Sequence, residues 1–292
     1  MTVAQALRAA AARLRAHLDA ETAAFEARLM AAHVLGREPA ALAAARLEPW
    51  DARQDEALQA MIARRLTGEP LQYLLGEWAF MGLPIRVRPG VLIPRADTEI
   101  VAERALSFLR GRASRRVLDL CCGTGCIGIA LAKLGAASVT ATDVSAGCCE
   151  LALENARRNG VRLDVRTGDL FAPLGAQERF DLIVSNPPYL THAELEAPQL
   201  ELTFEPRLAL DGGADGLVFY RRIAAEYAAH LAQDGALLVE IGAAQAEAVS
   251  ALLGGAELMR DLAGRPRALL AARQGRGREI YAGKTEKPHR TV

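Results

Sequence analysis

The chain carries no net charge: 35 Lys and Arg are offset by 35 Asp and Glu. A protein drawn to nucleic acid or anionic membrane by bulk electrostatics needs a basic surplus, so no direct nucleic-acid or membrane partner is expected. There is no Cys-x-x-Cys pair and there are only 5 His, which leaves little to build a metal site from, so none is assigned. The 5 cysteines (Cys121, Cys122, Cys126, Cys148 and Cys149) are odd in number and tightly clustered. That is a poor disulfide framework and suits a reducing compartment. No apolar run approaches the roughly 20 residues that span a bilayer. The N-terminus has no secretory h-region; it is rich in Ala and Arg like a transit peptide, yet Asp19, Glu21 and Glu26 argue against one. A cytoplasmic location follows.

What is present is an ordinary globular make-up, with 51% hydrophobic and 24% charged residues over 292 positions, enough for one large or two modest domains. Residues 1–69 read as a helical domain. Thr2 and Gln5 form a capping box ahead of a helix with Val3, Leu7, Leu14 and Leu18 for burial. A second helix from about Glu21 to Leu35 carries Phe25, Leu29 and Met30 and stops at Gly36. Pro39 opens a short Ala-rich helix, and Asp51 with Gln54 caps another bearing Leu58, Met61, Ile62 and Leu66. From Leu71 to Val91, aromatic and β-branched residues interrupted by glycine predict a hairpin, so 70–92 is assigned as a linker. Asp97 or Thr98 then caps a helix from about Glu99 to Leu109. Because a helix N-terminus attracts carboxylates, Arg95 and Thr98 are candidates to meet the acidic end of a ligand.

Residues 93–272 alternate strands and helices, the pattern of an α/β, doubly wound parallel sheet. Arg116–Leu120 is a strand, Cys121–Gly125 a tight loop and Cys126–Leu134 a helix. Gly123, Gly125 and Gly128 have the spacing Gly-x-Gly-x-x-Gly, and Asp143 closes the next strand about twenty residues on. That spacing also fits a dinucleotide, but Asp119 at the end of the first strand would face a pyrophosphate with a like charge. S-adenosylmethionine has no phosphate and brings an ammonium, a carboxylate and a sulfonium, so an acid there is favourable. Cys121, Cys122, Gly123, Thr124 and Gly125 are therefore assigned to that cofactor. Asp143 is placed to accept from ribose hydroxyls and Asp169 from the adenine amino group, while Leu170 or Phe171 packs on the ring. Each acid alone could be a turn residue; acids at successive strand ends are harder to dismiss.

After a helix Ala146–Asn159 and a strand Val161–Val165, the apolar run Leu182–Val184 makes a buried strand that stops at Asn186-Pro187-Pro188-Tyr189. Neither proline has an N–H to continue a ladder, so the corner is stiff and non-helical. The carbonyls of Asn186 and Pro187 and the Asn186 side chain are acceptors for a flat NH2 group, with Tyr189 beside it. Asn186, Pro187 and Tyr189 are the candidate catalytic residues, and Pro188 completes the substrate site. A helix Phe219–Leu231, a strand Ala236–Glu240, a helix Ala243–Leu253 and strands near Glu257 and Ala268–Ala271 complete the sheet. The polar tail 273–292 is expected to be disordered.

From Gly68 to Ala271 the chain resembles the HemK/PrmC family of release factor glutamine methyltransferases. The likeness rests on Gly68-Glu69-Pro70-Leu71-Gln72-Tyr73, on Pro89 to Glu99, on Ser185 to Tyr189, and on Phe204 to Leu217. It implies a class I methyltransferase fold, Rossmann-like with a mostly parallel seven-stranded sheet, and a monomer. It also implies methyl transfer from S-adenosylmethionine to the glutamine of the Gly-Gly-Gln loop of peptide-chain release factors, in translation termination. Two positions depart from the family: Cys121 stands where glycine is usual and Ala96 where proline is usual. A ribosomal-protein glutamine methyltransferase shares Asn-Pro-Pro-Tyr, but the 96–99 and 211–217 stretches favour the release-factor branch. An enzyme acting on the exocyclic amine of adenine uses the same corner. It needs basic surface, yet Glu194, Glu196, Glu201, Glu205, Asp211 and Asp215 here face only Arg207. A nicotinamide oxidoreductase is disfavoured by Asp119 and Asp169, and a catalytically silent scaffold by the intact corner.

Overall fold

Capping chemistry sets the helical start of the chain. The computed structural model describes residues 1–272, and the tail expected to be disordered lies outside the described residues. In α1 (Val3–Leu14), Gln5 N–H donates to Thr2 Oγ1 (3.3 Å) and Thr2 N–H to Gln5 Oε1 (2.7 Å). In α2 (Ala20–Leu35), Asp19 accepts from the N–H groups of Glu21 and Thr22, and Gly36 ends the helix in the left-handed region at φ 61°. Pro39–Ala43 is a 3-10 turn, and α3 (Ala52–Arg65) opens on the Asp51/Gln54 capping box. Val3, Leu14, Met30, Trp50, Leu58 and Ile62 are buried together. Phe25 is 51% exposed, because α2 turns Ala23, Ala27 and Met30 inward instead.

The predicted hairpin is shorter than 71–91. Leu71–Leu75 forms a helix, α4, ended by Gly76 at φ 71°, and its Leu71 and Leu74 bury against the helical region. Only β1 (Glu77–Phe80) and β2 (Leu83–Arg86) pair, antiparallel, around Met81 and Gly82 at φ 51° and 72°. Helix α5 (Ala96–Leu109) starts earlier than expected, with Arg95 at the cap position and no side-chain cap. Asp97 and Thr98 thus lie inside its first turn.

The remaining elements are β3 (Arg116–Leu120), α6 (Cys126–Gly135), β4 (Ser138–Asp143), α7 (Ala146–Arg158), β5 (Asp164–Thr167) and β6 (Phe180–Ser185). They continue through α8 (His192–Glu196), α9 (Val218–His230), β7 (Leu231–Glu240), α10 (Ala246–Leu252), β8 (Glu257–Arg260) and β9 (Pro266–Ala272). β5 starts at Asp164, past the predicted Val161, because its pairing with Thr140–Asp143 of β4 sets the register. The 7-stranded sheet has the order β5-β4-β3-β6-β7-β9-β8. β3 to β7 run parallel, and β9 runs antiparallel to both neighbours.

Strand alternation splits the core into two layers. Leu182 and Val184 of β6 join one cluster with α5 and α6, while Ile183 joins another with Tyr220, Ile223 and Tyr227 of α9; Phe180 joins the second cluster too, because the register shifts between Phe180 and Leu182. Full burial of one such side chain contributes about 1.5–3 kcal/mol. The chain winds outward from β3 through β4 to β5, then returns to β6 on the other side of β3. Open α/β sheets bind ligands at that switch point, outside the carboxyl ends of the strands.

Candidate active site

A cleft of about 980 Å³, open mouth included, lies there. One wall comes from the loops after β3, β4 and β5: Cys121, Cys122, Gly123, Thr124, Asp143 and Leu170. The facing wall contains Ile93, Arg95, Thr98, Asn186 and Pro188, with Leu208 and Phe219 at the rim. The structure thus brings most of the predicted site residues into one cavity.

The first wall is tied together by Asp143. Its Oδ2 accepts from Gly123 N–H and its Oδ1 from Ser145 N–H, both at 2.9 Å. Burial outweighs these bonds and raises its carboxyl above the usual range. Cys121 lines the cavity at φ 59°, a left-handed conformation that accounts for the usual glycine. Gly125 (φ 77°) faces away from the cavity, where a Cβ would lie 2.9 Å from Ala152 Cβ. It lets α7 approach the loop and is not a lining residue, contrary to expectation. Gly128 has a similar packing role: a Cβ there would meet Asp119 Oδ2 at 3.0 Å.

Asp119 also differs from its predicted role. It is 1% exposed beneath the loop, where Oδ2 accepts from Gly128 N–H (2.9 Å) and Oδ1 has no partner among the described residues. Burial pushes its carboxyl up to about 7. It supports the loop from below instead of lining the cleft. Asp169 stands at the rim, 52% exposed and paired with Arg222 (2.7 Å). Leu170 lines the cleft, but Phe171 does not: Leu170 sits at φ 47°, and Phe171 turns into the core to stack on His230 at 5.2 Å.

The second wall is built from distant segments. Glu205, its side chain fully buried, accepts from Ile93 N–H (2.9 Å) and pairs with Arg95. The Arg95 charge is therefore already matched by an acid, which weakens its predicted role towards a ligand carboxylate. Burial, partly countered by Arg95, raises the Glu205 carboxyl. Thr98 is 3% exposed and accepts from Asn186 Nδ2 (3.3 Å). Pro187 is buried and, like Tyr189, is not part of the cavity lining. Tyr189 packs on the 211–217 stretch: a Cβ at Gly212 would lie 2.7 Å from Tyr189 Cα. Gln245 Nε2 donates to the carbonyls of Tyr189 (3.0 Å) and Gly216 (3.1 Å), holding both in place.

Ile127, Val144, Ser145, Cys148, Leu208 and Phe219 line the cleft and were not singled out from the sequence. Glu240 was missed as well, although it carries the same signal as Asp119 and Asp143, an acid closing an apolar strand. The lining suits an adenosyl cation. It offers acids and carbonyls with apolar Ile127, Leu170 and Phe219, and its Arg95 is already paired. Burial holds the Cys126 thiol up at about 12 and that of Cys148 at about 11, so both stay neutral.

Comparison with known proteins gives concordant matches. The family model for the methyltransferase small domain matches residues 92–205, and that for the PrmC N-terminal domain matches residues 5–76. A release factor glutamine methyltransferase of Bordetella pertussis is 47% identical over 247 residues, 82% of this chain and 91% of the relative. One of Cereibacter sphaeroides is 42% identical over 283 residues, covering 94% and 99%. A T. thermophilus 16S rRNA methyltransferase solved with AdoMet and guanosine has a TM-score of 0.52 at 19% identity, covering 68% of this chain and 50% of that one. That last match speaks to the fold alone.

Proposed function

Since the chain belongs to the release factor glutamine methyltransferases, we propose a working arrangement in which the two walls of the cleft hold the methyl donor and the amide it alkylates. The enzyme uses S-adenosylmethionine to methylate the side-chain amide nitrogen of a release-factor glutamine. The finer reading puts that glutamine in a Gly-Gly-Gln loop and the reaction in the cytoplasm, with a monomer as the working unit. The division into a helical domain (1–69), a linker (70–92) and a methyltransferase domain (93–272) belongs to the same proposal. A core of its own supports a separate helical unit, and that core also takes in Leu71 and Leu74 of the linker.

An amide nitrogen is a poor nucleophile because its lone pair is delocalised into the carbonyl. When bound, S-adenosylmethionine supplies an electrophilic methyl group. Asn186 Oδ1 and the Pro187 carbonyl accept from the two N–H groups of the substrate amide, fix its plane and return electron density to nitrogen. Pro188 borders that plane, and Tyr189, off the cavity lining, braces the corner through its packing on the 211–217 stretch. Most of the acceleration comes from positioning and preorganised dipoles. Alkylation leaves the amide nitrogen cationic and strongly acidic, and it loses one of its two protons to water to give the neutral N-methyl amide. On the cofactor side, Asp143 holds the Gly123 loop and would receive the ribose hydroxyls; Leu170 and Phe219 would flank the adenine, and Asp169, which pairs with Arg222, would meet its amino group.

The observation that carries this reading is that Asn186 and Pro188 share one cavity with Gly123 and Asp143. The test is incubation with purified release factor and labelled S-adenosylmethionine, followed by mass mapping. Label on the glutamine side chain is expected. Label on RNA or DNA would instead favour the adenine-amine reading.

A further inference from the structure

A run of contacts ties the acceptor wall to the helical region. It starts at Arg65, the last residue of α3, whose side chain is buried. Arg65 grips Glu26 of α2 with two prongs, Nε to Oε2 at 2.7 Å and Nη2 to Oε1 at 3.0 Å. The same Nη2 also donates to Oε1 of Glu201, 136 residues on, at 2.5 Å. Glu26 alone balances the Arg65 charge. A second acid that could otherwise stay in water adds location, not neutrality. Beside it, Leu200 covers Gly68 so closely that a Cβ there would lie 2.4 Å from Leu200 Cγ. Leu200 and Glu201 open the 3-10 turn Leu200–Phe204, and Glu205 N–H donates back to the Leu202 carbonyl (3.2 Å). The buried Glu205 carboxylate accepts from Ile93 N–H (2.9 Å) and pairs with Arg95. Arg95 caps α5, its carbonyl accepts from Thr98 N–H (3.1 Å), and the Thr98 hydroxyl meets Asn186 Nδ2 at 3.3 Å.

We propose that Glu205 is a positioning residue for methyl transfer, and that the helical region holds it in place through Arg65 and Glu201, bracing the acceptor wall from behind. The inference rests on Asn186 being the acceptor for the glutamine side chain. Between Tyr189 and α9 the chain forms only short turns of 5, 5 and 3 residues, and none of these turns buries a residue. A stretch with so little core of its own takes its position from its anchors. At its base, Leu190 N–H donates to the Leu210 carbonyl (2.9 Å) and Gly212 N–H to the Leu190 carbonyl (2.8 Å). Its far part rests on Glu205 and on the Arg65 and Gly68 contacts. Once Glu201 lets go, the turn drifts and Glu205 pulls on Ile93 and Arg95. The first turn of α5 then shifts Thr98 against Asn186. A misplacement of about 1 Å in a reacting group costs about a hundredfold in rate, so smaller shifts are also read out. The cofactor wall, tied within itself by Asp143, is not on this path.

Single turnovers with purified release factor and saturating S-adenosylmethionine test both links. Glu205→Gln should lower the maximal rate about 10- to 100-fold, the worth of one charge-assisted hydrogen bond. Glu201→Ala should lower it about three- to fivefold, because that side chain is 49% exposed. For Glu201→Ala, the release-factor concentration at half-maximal rate and the cofactor affinity by calorimetry should each stay within about twofold. Arg65→Lys keeps a charge for Glu26 but cannot fork to two acids. It should cost as much as Glu201→Ala, and the two together no more than either. In an Asn186→Ala background, Glu205→Gln should have almost no further effect, which a general loosening of the fold would not produce. If Glu205→Gln melts early, Glu201→Ala decides the matter, since its removal leaves no buried charge unpaired. Wild-type rates for Glu205→Gln or Glu201→Ala beside a crippled Asn186→Ala overturn this inference alone, as does equal slowing in both backgrounds. A raised half-maximal concentration at an unchanged maximal rate also overturns it, by making Glu201 a docking residue. A fully active Asn186→Ala overturns the reading beneath it too.

Discussion

The two walls of the cleft are built differently. The cofactor wall is local: Asp143 reaches 2 residues on to Ser145 N–H and 20 back to Gly123 N–H, within consecutive strand–loop–helix units. The acceptor wall is assembled from afar, with 88 residues between Asn186 and Thr98 and 112 between Ile93 and Glu205. A local wall can form as soon as its strands pair. A wall made of distant pieces exists only when the whole sheet, α5 and the 200–210 segment are docked. The first should therefore tolerate damage to the second, and cofactor binding should survive changes that abolish transfer.

The strongest way to break this contrast is Asn186→Ala. It should slow methyl transfer by at least about 100-fold, the cost of one preorganised polar group, with cofactor affinity much less affected. Single-turnover rates beside calorimetry decide it, and a parallel collapse of cofactor binding would mean the walls are one unit. The converse is Asp143→Asn. The variant has one acceptor oxygen for two N–H groups and aims an NH2 at the other, so cofactor affinity should drop about 10- to 100-fold. The rate at saturating cofactor should change far less; a rate loss without an affinity loss would contradict the division.

Two buried carboxyls, Asp119 beneath the cofactor wall and Glu240 at the end of β7, are each raised by burial to about 7. In the unfolded chain such groups lose their protons near pH 4. The folded protein keeps them bound to about 7, so these groups make stability fall as pH rises from about 4 to about 7, with no further change above. Asp119→Asn should remove part of that slope, measured as melting temperature against pH, and Glu240→Gln another part. A wild-type slope in both variants would place its origin elsewhere. The smallest effect expected is for Cys121→Gly. Releasing an L side chain from φ 59° gains more than the unfolded glycine costs, and the net stabilisation should be under about 1 kcal/mol. Chemical denaturation measures it, and a destabilised variant would show that the thiol packs usefully.

Legibility in the sequence followed the same division. The strand ends at Leu120 and Asp143, the loop from Cys121 to Gly125 and the corner at Asn186 all stand where short-range pattern puts them, because chain breakers and apolar runs act within a few residues. Errors arose where packing chose between local options. The Leu71–Leu75 stretch looked like part of a hairpin, yet its leucines bury as a helix against the helical region. Phe171 looked like an adenine platform, but a left-handed turn at Leu170 sends it to the core. Asp119 had the right chemistry for a ligand, and the tight approach of Gly128 closed it off.

Sequence by itself determined the alternation of strands and helices, the glycine loop, the acids at strand ends and the two-proline corner. From the residues that carry the family resemblance, it also determined the reaction. Those features depend on backbone conformations that a few neighbouring residues dictate. Only the tertiary structure decided which acids reach the cleft, that Arg95 is paired by Glu205, and that Asn186 meets Thr98. The direction and partner of a side chain depend on what packs against it from a hundred residues away, and no local pattern records that.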